Sequence, residues 1–170
     1  MDKMDKKESE QFQQILKKME AVKAKGGLDL STEEDLAIAI MNLISLEEHF
    51  YFTGAKTEKG EYFDMMNDVR LMRTKLLGRM IDKKEGEVWC ISKHLLATSM
   101  RLMEVGTKLQ KEGKKDEASD FFKDSLKMFN LFFALRLKII NISELKKLSQ
   151  EEKPMNLNDV MAKLIDCCNE

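Results

Sequence analysis

Hydrophobic positions along this chain recur at spacings of three and four and nowhere alternate over a strand's length, which predicts helices throughout. Residues 3–25 carry a thin apolar stripe of Phe12, Ile15, Leu16, Met19 and Val22 among Lys and Glu, and Gly26-Gly27 ends it. So narrow a stripe buries little, so this N-terminal helix is expected to dock loosely. Ser31-Thr32-Glu33-Glu34 has the form of a capping box with Ser31 as N-cap. Leu36, Ile40, Leu43, Glu47 and Phe50 then share one face, and Gly54 supplies a natural end. Thr57 can cap a second helix, whose face reads Tyr62, Met66, Val69, Arg73, Leu76 and Met80. Lys83-Lys84-Glu85-Gly86 punctuates the chain.

A third helix is predicted from about Glu87 to Glu112, with Ile91, Leu95, Thr98, Leu102, Val105 and Leu109 as its seam and Gly113 after it. A fourth is predicted over 116–141. Ala118, Phe122, Ser125, Phe129 and Phe132 lie on one face of it, while Phe121, Leu126, Leu131, Phe133, Leu135, Ile139 and Ile140 cover others. A helix apolar on more than one face must be covered on more than one side, which places it centrally or at an oligomer interface. Towards the end, Ser149-Gln150-Glu151-Glu152 resembles another capping box but meets Pro154. Asn156-Leu157-Asn158-Asp159 can cap a last amphipathic helix with Val160, Met161, Leu164 and Ile165.

The expected class is therefore all-α. Four helices of roughly 23–27 residues, about 35–40 Å each, joined by short turns give an up-down bundle with extra N- and C-terminal helices. A superhelical array of helix pairs is the alternative. The expected division is an N-terminal helix over 1–27, a helical bundle over 28–148, and a C-terminal tail with a short amphipathic helix over 149–170.

Within residues 99–132, Leu102, Val105-Gly106, Leu109, Gly113, Ala118, Phe122 and Ser125 sit near the spacing of a tetratricopeptide repeat, which this segment resembles. Small Gly106 and Ala118 would let the two helices of such a hairpin approach closely. Asn130 stands where that family has its closing proline, and no second copy follows at its repeat period. The resemblance implies a tight helical hairpin and, for function, a peptide-binding scaffold.

Composition narrows the function. At 170 residues the chain fits one domain, and Lys+Arg 29 against Asp+Glu 30 leaves no basic surplus for nucleic acid. The charged N-terminus shows no secretory signal. The longest apolar run, Leu131-Phe132-Phe133-Ala134-Leu135, falls far short of the roughly 18 residues of a membrane span. Three cysteines, with Cys167 and Cys168 adjacent, suit reduced thiols in a cytoplasmic protein.

Candidate chemistry is sparse. Neither His49 nor His94 has a Glu three residues before it, so the ferritin-like pattern is missing, as are zinc pairs. Cys90 and His94 are one helical turn apart, but Cys90 continues an apolar band with Trp89 and Ile91, where a small buried cysteine is the commoner case. No nucleophile elbow, phosphate loop or dinucleotide fingerprint is present, so no catalytic residue, metal ligand or cofactor is assigned. Met65, Met66, Met72, Met80, Met100, Met103 and Met128 follow the seams. They fill core gaps, or else line an adaptable binding groove, in which case some are exposed.

Charges on the seams stand out. Glu47 interrupts one apolar face and Arg73 the next, and antiparallel helices bring them to similar depths, so the two are expected to pair. With Arg70, Glu87 and His94 they make a candidate buried polar cluster. The expected function is a non-catalytic helical bundle that binds a protein partner or itself. A bundle with an internal polar or metal site is the alternative. Amide hydrogen exchange should label residues 3–25 and the segment after Pro154 early, and uniform protection through residue 25 would place the first helix in the core.

Overall fold

Three-residue connections at 58–60 and 112–114 leave the long helices on either side of each no choice but to fold back on one another. The computed structural model describes residues 30–144 together with Lys17, Lys18 and Ala21. Among these the chain is all-α, with four long helices: α1 (Leu30–Thr57), α2 (Glu61–Met80), α3 (Glu87–Lys111) and α4 (Lys115–Arg136). A short 3-10 turn, Lys83–Glu85, links α2 to α3. The helices form two antiparallel hairpins, α1–α2 and α3–α4, which meet chiefly where α1 crosses α3. The boundaries expected at residues 27 and 149, and the capping motifs at Ser149 and Asn156, lie outside the described residues. No helix among the described residues is long and apolar enough to cross a membrane.

Several helix ends differ from the sequence expectation. Leu30 is already helical, so Ser31 lies within the first turn of α1 rather than at its N-cap. Gly54 does not end α1. It sits inside the helix, where a Cβ would stand 3.0 Å from the Phe63 ring of α2, so its role is close approach between the helices. Thr57 does not cap α2 either: its hydroxyl donates back to the Thr53 carbonyl at 2.7 Å, and α2 begins after Gly60.

The two ends of the second hairpin use the same device with different residues. After α3, the amide of Gly113 (φ 79°) donates to the Gln110 carbonyl and that of Lys114 to the Leu109 carbonyl, a Schellman cap. After α4, the amide of Lys138 (φ 56°) donates to Leu135 and that of Ile139 to Ala134, the same cap built without glycine. The fourth helix thus stops at Arg136 rather than running to 141. Burial of Ile139 and Ile140 at the core pulls the chain back and offsets the strain of the left-handed lysine. Asn141 and Glu144 then exchange reciprocal backbone–side-chain hydrogen bonds of 2.7 and 3.0 Å, opening a further helical segment.

The core is concentrated where α4 ends. Ala37 and Ile40 of α1, Leu77 of α2, Leu96 of α3 and Phe132 of α4 are all fully buried. Phe133 packs edge-on against both Phe129 and Phe132. Arg136, in the last turn of α4, pairs through two nitrogens with Glu33 in the first turn of α1, so each charge also complements its own helix dipole. Along the α3–α4 hairpin the contact is made by small residues. Ser92, Ser99 and Gly106 recur at seven-residue spacing and are buried, facing Ala118 and Ser125. The Ser99 hydroxyl donates to the Ser125 carbonyl at 2.9 Å and the Ser125 hydroxyl to the Ser99 carbonyl at 2.8 Å. At Gly106 a Cβ would stand 2.6 Å from the Phe122 ring, so this hairpin is closely packed along its length.

Phe132→Ala is expected to cost about 3–5 kcal/mol of stability, because its fully buried ring leaves a cavity. Leu126→Ala on the same helix, half exposed, should cost less than about 1 kcal/mol. Urea denaturation of the two variants measures the contrast.

Candidate functional site

Helical periodicity turns Glu47 inward. It follows Ile40 by seven residues and so continues the buried face of α1, where an isolated carboxylate would be costly. On α2, Arg73 precedes fully buried Leu77 by one turn and is equally enclosed, its side chain 8% exposed. The two meet. Arg73 donates from Nε to Glu47 Oε1 at 2.6 Å and from Nη2 to Oε2 at 3.3 Å. Arg70, one residue short of a turn earlier on α2 and half exposed, donates from Nε to Oε2 at 3.0 Å.

Burial acts to raise the Glu47 carboxyl pKa. The hydrogen bonds from Arg73 and Arg70, and then their charges, outweigh it and hold the group below its ordinary value. Glu47 is therefore an anion wedged between two guanidinium groups.

Beside this triad opens a cavity of about 490 Å³. Ile44 and Glu47 of α1, Arg70, Arg73 and Thr74 of α2, Lys83 of the 3-10 turn, and Trp89, Lys93, His94 and Ala97 of α3 line it. Of the five residues of the sequence-derived cluster, Glu47, Arg70 and Arg73 are in direct contact and His94 shares their cavity. Glu87 is the first residue of α3 and is not among the lining residues. Lys83, Trp89 and Lys93 were not part of that cluster. Trp89, Lys93 and Ala97 recur every fourth residue on α3, a signal for a shared face, but nothing in the sequence shows which helices that face meets.

A second cleft, of about 440 Å³, lies between α1 and α3. Arg101 there binds both the Glu48 carboxylate and, at 3.1 Å, the Ser45 hydroxyl, with His49, Phe52 and Lys56 around them. The two histidines thus line separate clefts. Cys90 is exposed, correcting the expectation that it continues the apolar band: Trp89 and Ile91 are half-buried and the cysteine between them faces outward. Cys167 and Cys168 lie outside the described residues. Among the described residues no group of three or more His, Cys, Asp or Glu side chains is placed to hold a metal ion.

The chain matches no family model, no curated protein and no solved structure in comparisons with each.

Glu47→Gln should cost about 3 kcal/mol at neutral pH, because it leaves Arg73 buried without its counter-charge. In a double-mutant cycle with Arg73→Met, a coupling above about 1 kcal/mol is expected, and coupling near zero would show that the pair is energetically idle. The depressed carboxyl pKa sets the pH window. Its stabilisation is fully present above the ordinary value of 4.5 and is lost as pH falls through the lower folded-state value. The gap in stability between wild type and Glu47→Gln should therefore close on acidification below that point, as urea titrations at a series of pH values would record.

Proposed function

We propose that this protein is a non-catalytic helical interaction module that binds a protein partner or a second copy of itself through the outer face of the α1–α2 hairpin. The observation that carries this reading is the exposure of large apolar side chains on α2: Leu71 is 70% exposed and Met72 57%. Met65, seven residues before Met72 and so on the same side of the helix, is exposed too. On α1, Tyr51 is about half exposed as well. Single exposed hydrophobics are ordinary on any surface, whereas a run of them along one hairpin fits a docking face.

The methionines support the same reading. Met80 is buried as a gap filler, but Met65 and Met72 are exposed, as a surface that adapts to its partner requires. An exposed free thiol at Cys90 suits the reducing cytoplasm. The near-even balance of charge suits a protein partner better than nucleic acid. The rival metal-centre reading has no ligand group to rest on among the described residues.

Photo-crosslinking amino acids placed at positions 71 and 72, with position 111 as an exposed control, test the proposal in cells. Defined adducts, either to the chain itself or to one recurrent protein, are expected from 71 and 72 and not from 111. Adduct yields no higher than the control at both positions would end the interaction reading for this face.

A further inference from the structure

The cavity beside Glu47 has a charge that the chain as a whole lacks. Overall the protein carries a net charge of -1, yet the cavity gathers four cationic side chains, Arg70, Arg73, Lys83 and Lys93, around one carboxylate. That carboxylate is already engaged by both arginines, and neither lysine is ion-paired to a described residue. A surplus of three positive charges thus converges on one recess from α2, the 3-10 turn and α3. Like charges gathered this way repel one another, and a bound anion relieves that repulsion.

From this we infer that the cavity is a binding site for a small soluble molecule bearing a diphosphate or similar multivalent phosphoryl group. Several cations separated across three elements suit an anion whose charge is spread over several oxygens better than a single carboxylate. Arg73 is held rigidly by Glu47, so it is pre-oriented and loses no freedom when the ligand arrives. Arg70 and the two lysines have more freedom and close on the anion from the open side. The volume of about 490 Å³ lies within the usual range for small-molecule sites. Trp89, with Ile44 and Ala97, supplies an apolar wall for the organic part of the ligand, and the Thr74 hydroxyl supplies a further hydrogen-bonding group. This site is separate from the apolar face of the interaction reading and stands or falls independently of it.

Trp89 is the chain's single tryptophan and lines the cavity, so its fluorescence reports on the site directly. The full-length protein is titrated with sodium pyrophosphate at ionic strength held constant with NaCl. A saturable change is expected, with the dissociation constant raised about tenfold in Lys83→Gln and in Lys93→Gln. Lys111→Gln, at the far end of α3, should leave it unchanged. Pyrophosphate should also raise the melting temperature of the wild type, a readout that does not depend on the tryptophan. Circular dichroism confirms that the lysine variants are folded. The proposal is overturned by the absence of any saturable response, by a response that NaCl alone reproduces, or by wild-type affinity in both cavity variants. A response to vesicles containing phosphatidylinositol phosphate without one to pyrophosphate would also overturn it, since the ligand would then be a lipid headgroup.

Discussion

Enclosing a guanidinium group beneath a helix is tolerable only when an anion is fixed beside it, and that constraint organises the first hairpin. Arg73 projects from the face of α2 that also buries Leu77, so it cannot retreat to water without withdrawing the leucine. Glu47 meets it from α1 with both carboxylate oxygens occupied. Sliding either helix by one turn would move its partner by about 5.4 Å and leave two buried charges apart. The pair is therefore compatible with only one register of α1 against α2. Gly54 serves the same alignment further along by admitting the Phe63 ring against the α1 backbone.

The second hairpin solves its alignment differently. Its seam is uncharged and built of small residues, and the reciprocal Ser99–Ser125 hydrogen bonds tie each hydroxyl to the backbone of the facing helix. Close approach of this kind demands short side chains at every seventh position and leaves no room for an ion pair. The hairpins then share one apolar core near the end of α4, where Phe132, Leu77, Leu96 and Ile40 meet and the Glu33–Arg136 pair closes the rim. Away from that core, the α1–α2 hairpin keeps large apolar side chains at its surface, and a basic cavity lies between it and α3. Ile44 and Trp89 join the cavity to the core, each packing against the core while lining the cavity.

Helix ends show where sequence signals weaken. Gly113 was legible as a stop because a left-handed residue after a helix is normally glycine. Lys138 adopts the same conformation with a Cβ, and only the burial of Ile139 and Ile140 explains why it does so. Gly54 carried the opposite error: its sequence signal is a helix end, but it is consumed by contact with a ring from the neighbouring helix. Thr57 similarly returns its hydroxyl to its own helix instead of starting the next. At Lys138 and Gly54 a local preference of about 1 kcal/mol was set against tertiary packing worth more.

What the sequence determined by itself is the helical class and the inward direction of particular side chains. Both follow from spacing along one chain, which a helix converts directly into a face. Glu47 and Arg73 could be read as seam charges because each interrupts an apolar periodicity on its own helix. The tertiary structure alone decided which faces meet. Lys83 sits in a turn, Lys93 on a different helix from Arg70, and Glu87, similar in the sequence to any other seam neighbour, falls outside the cavity lining. No periodicity within a single element encodes that convergence. It depends on how the 3-10 turn swings α3 across the first hairpin, a geometry set by the shared core rather than by any of the residues whose charges it assembles.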